Sequence, residues 1–194
     1  MNSVLVTGSN RGLGLEWVRQ YAAAGWRVYA TCRYPDQADD LQRLKSQDPN
    51  VSVHPLDVTQ PDQIREMAVA LGDGPLDVLI NNAGVYRERW GKDPVGRIDY
   101  ADWLDTFAVN TLGAMRVSEA LVDSLARSER RLLVAVSSHM GSMTRFIQPD
   151  TASMVVGRAA TSRPSPAKLM APATATTATA SSPTGRACDG SNAR

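Results

Sequence analysis

The sequence predicts an α/β protein built on a doubly wound parallel sheet. Short apolar runs recur along the chain, segments with helical periodicity separate them, and Gly-rich or polar residues follow the runs. Strands that alternate with helices are joined by right-handed crossovers, which favours a parallel sheet in the order 3-2-1-4-5. Ligands of such sheets bind at the carboxyl ends of the strands, so the polar residues after the runs are candidates for a functional site.

Five apolar runs are predicted to be the strands, at residues 3–7, 27–32, 51–56, 76–80 and 131–136. Helices are expected after the Gly-rich turn that follows the first run, after Pro35, after Thr59 as the N-cap of a third helix, and over about residues 102–128. The fourth run has no polar alternation beyond Asp77, which is typical of a central strand covered on both faces.

Size and composition exclude several classes of protein. At 194 residues, with a formal net charge of +1, the chain fits one domain and has no basic excess that would favour a nucleic-acid partner. No window approaches the roughly 18 apolar residues of a membrane span, so we expect a cytoplasmic protein with no membrane partner. Cys32 and Cys188 are too few for a disulfide framework or a zinc site, and no metal is predicted.

The segment TGSNRGLG, residues 7–14, follows the first predicted strand and opens a helix. In that context Gly8 permits a tight turn, and Gly12 lets the backbone approach a pyrophosphate held at the helix N-terminus. Gly14 lets the helix pack closely on the strand. Taken alone, the segment is also compatible with an ordinary loop that binds nothing.

Further polar segments follow the later strands: Asp57-Val58 after the third, NNAG at 81–84 after the fourth, and SSHMGS at 137–142 after the fifth. Together with the TGxxxGxG spacing and Asn110, they resemble the short-chain dehydrogenase/reductase family over about residues 1–145. Within the family the chain is most similar to C-factor-like and carbonyl-reductase-like members. The resemblance implies a Rossmann-type dinucleotide-binding domain over residues 1–150.

The resemblance also implies roles for individual residues. Those that match the pyrophosphate loop, the adenine-binding acid with its neighbour, and the segment that lines the ribose are Gly8, Arg11, Gly12, Leu13, Gly14, Asp57, Val58, Asn81, Ala83 and Gly84. Asp57 matches the carboxylate that accepts a hydrogen bond from the adenine amino group. Asn110 and Ser138 match two members of the family's Asn-Ser-Tyr-Lys tetrad and are the predicted catalytic residues.

The end of the second strand favours NADP(H) over NAD(H). NAD-selective folds have an acid there that binds the ribose 2′-hydroxyl and would repel a 2′-phosphate. This chain has Cys32 followed by Arg33, and both Arg33 and Arg11 are placed to reach a 2′-phosphate with a planar guanidinium. The alternative is that Arg33 points to solvent.

The catalytic tyrosine and lysine of the family are not found. Thr151 and Val155 stand at the spacing of the family's YxxxK, no tyrosine follows Tyr100, and Lys168 is the one lysine beyond Lys92. In relatives the lysine lowers the pKa of the tyrosine, which is the general acid. Without this pair, Asn110 and Ser138 can orient a substrate but cannot protonate an alkoxide.

Residues 151–194 are rich in Ala, Thr, Ser and Pro, and we expect a low-complexity, disordered tail where the C-terminal part of the family fold is missing. A reading-frame change in a GC-rich gene and a genuine linker on a shortened family member both explain this composition.

Two functions stay open. One is an NADP-dependent oxidoreductase that transfers a hydride between nicotinamide and a small-molecule carbonyl or alcohol substrate. The other is an inactive nucleotide-binding remnant or regulatory pseudoenzyme. Because relatives form dimers or tetramers, a homo-oligomer is also compatible with the sequence.

Overall fold

The computed structural model describes residues 1–87 and 99–137. In this part of the chain, one parallel sheet has the strand order β3-β2-β1-β4-β5. The strands are β1 (Ser3–Val6), β2 (Arg27–Cys32), β3 (Val51–Pro55), β4 (Val78–Asn81) and β5 (Leu132–Ala135). The predicted doubly wound sheet and its strand order are confirmed. Ser138 and the predicted tail over residues 151–194 lie outside the described residues.

The helices lie on both faces of the sheet. They are α1 (Gly12–Ala23), α2 (Asp39–Gln47), α3 (Pro61–Leu71), α4 (Tyr100–Phe107) and α5 (Ala114–Arg127), with a 3₁₀ turn at Pro35–Gln37 and a π-helical segment at Ala108–Gly113. No helix within residues 1–87 and 99–137 combines the length and the apolar character that a membrane crossing requires.

The core has two layers because successive side chains of a strand point to opposite faces of the sheet. Val4 and Val6 of β1 pack in the layer under α1 and α2, whereas Leu5 packs in the layer under α3 and α5. All four residues of β1 and of β4 are buried. Both strands are therefore covered on both faces, as their unbroken apolar runs predict.

The predicted helix over residues 102–128 is interrupted by the π-helical segment. Two residues of this segment make close contacts that a regular helical turn does not account for: Asn110 pairs with the backbone of Val85, and Gly113 lies against Val58. A Cβ at Gly113 would lie 2.5 Å from Val58 Cγ2. The wider helical turn thus occurs where the helix contacts two loops at the carboxyl edge of the sheet.

The predicted N-cap of α3 is wrong. The N-cap residue is Gln60, and its side chain makes no capping hydrogen bond. Thr59 instead donates to Asp57, with its Oγ1 at 2.7 Å and its backbone N at 2.9 Å from Asp57 Oδ1. The carboxylate of Asp57, two residues earlier, is a charged acceptor for the Thr59 hydroxyl and backbone N–H. The local turn from Asp57 to Thr59 therefore forms in place of the cap on α3.

Asp77 links three segments at the amino edge of the sheet. Its Oδ2 accepts from Ser3 N at 2.7 Å, and its Oδ1 accepts from Ser128 Oγ at 2.5 Å. Burial raises the pKa of this carboxyl, but the hydrogen bonds from Ser128 and Ser3, together with the charge of Arg130, outweigh burial and hold the pKa below its usual range. The carboxylate form therefore stabilises the fold.

We expect Asp77→Asn to lower the free energy of unfolding at pH 7 by about 1–2 kcal/mol, because hydrogen bonds to a charged acceptor are lost. The stabilisation is fully present above the unfolded pKa of about 3.9 and is lost as the pH falls through the lower folded pKa. Urea unfolding of both chains across this range should show the difference shrinking on acidification. Asp73→Asn, at an exposed carboxylate, is the control. An equal difference at all pH values would contradict this assignment.

Candidate functional site

The loops that follow β1, β2, β3 and β4 meet at the carboxyl edge of the sheet. Ser9 N donates to Thr31 O at 2.9 Å and connects the glycine turn to the end of β2. Leu56 N donates to Cys32 O at 2.9 Å and connects β3 to the same end. Thr7 N donates to Ile80 O at 3.0 Å and connects the glycine turn to β4. The predicted site residues in these loops are thus brought together.

The glycine turn has two positions that a side chain would disrupt. Gly8 has φ +66°, and a Cβ there would lie 2.9 Å from Ala83 Cα in the loop after β4. A Cβ on Gly14 would lie 2.3 Å from Gly8 O. These distances are far below normal contact, so the turn, α1 and the loop after β4 fit together only with glycine at both positions.

The N-terminus of α1 is a candidate position for an anion. Its N-cap residue, Arg11, makes no side-chain capping bond among the described residues, and no acidic residue lies in the first turn. Arg11 and Leu13 are exposed, and no atom of residues 1–87 or 99–137 lies within 4 Å of the position of a Cβ on Gly12. First-turn N–H groups lack helical partners and carry partial positive charge. The open space beside them therefore suits a negatively charged group.

Asn82 and Thr7 hold the glycine turn against β4, and the sequence alone did not identify them. Asn82 Nδ2 donates to Thr7 O at 2.9 Å and to Gly8 O at 3.0 Å. Thr7 Oγ1 accepts from the backbone N of Asn82 and of Ala83, each at 3.0 Å. The TG and NNAG motifs contain these two residues, but the motifs are far apart in the sequence. Their contact could therefore not be inferred from either motif alone.

Asp57 has one carboxylate oxygen engaged within its own turn, where Oδ1 accepts from Thr59. Its backbone N donates to Gln63 Oε1 at 2.6 Å, which fixes the loop to α3. Val58 is buried against Gly113 in the π-helical segment. The loop after β3 is therefore held on both sides, and the hydrogen bonds from Thr59 use Asp57 Oδ1 and leave Oδ2 outside them.

The end of β2 has a thiol facing inward and a guanidinium facing outward. Cys32 is 3% exposed and belongs to the core layer under α1 and α2. Burial raises the pKa of the Cys32 thiol, an effect that a hydrogen bond from the Tyr34 backbone partly offsets. Arg33 is exposed and is the first side chain beyond the strand that can meet a ligand. No carboxylate stands at either position.

Asn81 and Asn110 are both buried. Asn110 Oδ1 accepts from Val85 N at 2.8 Å while its Nδ2 donates to Val85 O at 2.9 Å, so the side chain fixes the loop after β4. Asn81 Nδ2 donates to Ser118 Oγ at 2.9 Å, and Asn81 Oδ1 is a buried acceptor with no hydrogen-bond partner among the described residues. Ala83 and Gly84 lie between these two anchors. Ser138, the other predicted catalytic residue, lies outside the described residues.

The comparisons with known proteins agree with this geometry. The profile of the family described as short chain dehydrogenase matches residues 2–150. The chain belongs to the short-chain dehydrogenase family. This confirms the resemblance predicted from its motifs. Among residues 1–87 and 99–137, no cluster of His, Cys, Asp or Glu could hold a metal ion.

Similar members of the short-chain dehydrogenase family include oxidoreductases from several organisms. An uncharacterized oxidoreductase of Schizosaccharomyces pombe is 32% identical over 144 residues, which cover 73% of this chain and 56% of the relative. The (+)-neomenthol dehydrogenase of Arabidopsis thaliana is 33% identical over 164 residues, which cover 74% of this chain and 55% of the relative. The chain thus spans about half the length of the curated relatives it matches.

The fold matches the solved structure of a carbonyl reductase. The crystal structure of NADPH-bound carbonyl reductase from chicken fatty liver superposes with a TM-score of 0.73 at 31% identity. The match covers 82% of this chain and 69% of that chain.

Proposed function

We propose that the chain binds NADP(H) at the carboxyl edge of its sheet and prefers NADP(H) to NAD(H). The observation that carries this proposal is the uncapped N-terminus of α1, whose first turn has no acidic residue and whose Gly12 has open space beside it among the described residues. A pyrophosphate suits this position because the first-turn N–H groups can donate to it. The domain that binds the cofactor comprises residues 1–150, in line with the extent of the family match.

The other predicted contacts assign different parts of the cofactor to neighbouring loops. Arg11, Leu13 and the turn glycines adjoin the pyrophosphate. Asp57 Oδ2 accepts from the adenine amino group, with Val58 beside the ring. Asn81, Ala83 and Gly84 line the ribose through a loop that Asn110 fixes from behind. These assignments rest on the match to the family's motifs and on the convergence of the loops.

The preference for a 2′-phosphate rests on charge at the end of β2. The inward Cys32 leaves no acid to bind a ribose hydroxyl, and the exposed Arg33 offers a guanidinium in its place. Arg11 adds a second positive charge at the same edge. The structure of the chicken carbonyl reductase described above, which contains NADPH, supports the same choice.

A bound nicotinamide cofactor supplies hydride-transfer chemistry, and the substrate class we propose is a small carbonyl compound or alcohol. Ser138 would hold the carbonyl oxygen by a hydrogen bond. The chain has no tyrosine after Tyr100 to act as the proton donor. We therefore propose tight binding with very slow turnover. The second candidate, a nucleotide-binding remnant or regulatory pseudoenzyme, is favoured by the same missing tyrosine.

The test is a titration of the purified chain with NADPH and with NADH, followed by NADPH oxidation in the presence of aldehydes and ketones. We expect NADPH to bind at least about tenfold more tightly than NADH, because a charge-assisted contact is worth more than about 1.4 kcal/mol. Substrate-dependent oxidation should be close to background. Turnover at an ordinary enzymatic rate would overturn the proposed slow turnover, and no binding of either dinucleotide would overturn the proposed site.

A further inference from the structure

We infer that Tyr34 is a positioning residue that holds the Arg33 guanidinium ready for a 2′-phosphate. The inference rests on the proposed NADP(H) site and assigns a determinant of its specificity to a residue that carries no phosphate-binding group itself. Tyr34 is 63% exposed, so its ring is not part of the core. The Arg33 Cζ lies over this ring, 5.9 Å from the centroid. This distance is within the range of a cation–π contact.

The turn that carries Tyr34 is held by hydrogen bonds. Tyr34 precedes Pro35, which narrows its backbone conformation, and it has φ −130° and ψ 81°. Gln37 N donates to Tyr34 O at 3.2 Å, and Gln42 Nε2 donates to Pro35 O at 3.0 Å. The next residue of the turn, Ala38, is buried. Tyr34 therefore stands on an ordered turn that is anchored to α2.

Contact with an aromatic ring face leaves the N–H groups of a guanidinium available. The five donors of arginine seek lone-pair acceptors, and a ring face is a far weaker acceptor than a phosphate oxygen. A carboxylate partner would occupy those donors. The ion pairs found in the described part of the chain do not include Arg33. Tyr34 can thus order Arg33 without neutralising it.

The position of this pair matches the place where the 2′-phosphate would lie. Arg33 directly follows β2, whose end is bonded on one side to Ser9 of the glycine turn and on the other side to Leu56, next to Asp57. A ribose between the pyrophosphate site and the adenine site would present its 2′ position to this end of β2. Ordering Arg33 in advance reduces the entropy that the side chain loses on binding.

The experiment compares Tyr34→Ala and Tyr34→Phe by calorimetric titration with NADPH, NADH, adenosine 2′,5′-bisphosphate and adenosine 5′-monophosphate. We expect Tyr34→Ala to weaken binding of the two 2′-phosphorylated ligands by about two- to fivefold and to leave the other two unchanged. Tyr34→Phe keeps a ring face and should bind like the unchanged chain. Tyr100→Ala, at another exposed tyrosine, is the matched control.

A second comparison separates positioning from a structural effect. In an Arg33→Ala background, the further change Tyr34→Ala should have no additional effect on NADPH affinity, because the group that Tyr34 orders is gone. Equal effects of Tyr34→Ala in both backgrounds, or an equal loss of NADH affinity, would overturn the inference while the NADP(H) site stands. If the unchanged chain binds neither dinucleotide, the proposed site is wrong and this inference fails with it.

Discussion

Replacing Gly14 by alanine is expected to destabilise the fold by about 1–3 kcal/mol and to remove NADPH binding. The added Cβ would lie 2.3 Å from Gly8 O and 2.5 Å from Asn82 Nδ2. The Gly8 carbonyl belongs to the backbone, and the Asn82 side chain is held by two hydrogen bonds. Neither group can move aside without separating α1 from the glycine turn. That displacement changes the direction of the first-turn N–H groups, on which the anion site depends.

Urea unfolding and NADPH titration of Gly14→Ala measure the two effects separately. Gly74→Ala is the matched control, because no atom in the described part of the chain lies within 4 Å of the position of a Cβ on Gly74. The control should change neither quantity beyond the small gain from a stiffer unfolded chain. Unaltered stability and affinity in Gly14→Ala would show that α1 does not pack against the turn as described.

Replacing Asn82 by aspartate is expected to destabilise the fold by more than about 2 kcal/mol and to weaken NADPH binding strongly. The shape is kept, but the amide group that donates to Thr7 O and Gly8 O becomes an acceptor that faces two carbonyl oxygens. The glycine turn would then lose two of the hydrogen bonds that attach it to the loop after β4. The segments proposed to bind the pyrophosphate and the ribose meet at this contact.

The control for this substitution is Asn2→Asp, which makes the same chemical change at an exposed residue. Thermal unfolding and NADPH titration should leave Asn2→Asp close to the unchanged chain. If Asn82→Asp were equally mild, the two hydrogen bonds from its Nδ2 would contribute little to the site. We also expect the stability deficit of Asn82→Asp to shrink at low pH, because protonation of the new carboxylate restores one hydrogen-bond donor.

Much of the fold could be predicted because its signals are local. The apolar residues of β1 and β4 stand in uninterrupted runs, and the segments between the strands repeat at helical spacing, so the strand order follows from general rules of handedness. The errors are also local. Thr59 has two possible hydrogen-bond partners within four residues, and spacing alone could not show that Asp57 is the one it uses.

The site was less predictable because its supporting contacts are distant in sequence. Asn82 bonds to Thr7 across 75 positions, and Asn110 bonds to Val85 across 25. A motif shows which residue types occur, but it does not show which side chain supports which turn. Similarly, the π-helical segment around Asn110 depends on contacts with Val85 and Val58. The periodicity of apolar residues along a helix carries no information about such contacts.

The proposed function separates the residues assigned to the cofactor from those of the chemical step. The residues proposed to bind the cofactor at 7–14, 57–58 and 81–85 precede the position where the family has its tyrosine and lysine. On this proposal, loss of the proton donor leaves recognition of the dinucleotide in place. Binding and turnover should be measured as independent properties.

The most direct test of the central claim is amide hydrogen exchange of the whole chain with and without NADPH. Exchange slows where a ligand orders or covers the backbone. We predict slower exchange in peptides that cover residues 7–14, 32–34, 57–59 and 81–85, with little change in α2 and at the amino ends of the strands. Binding of NADPH without slower exchange in these loops, or with slowing confined to other segments, would contradict the assigned site.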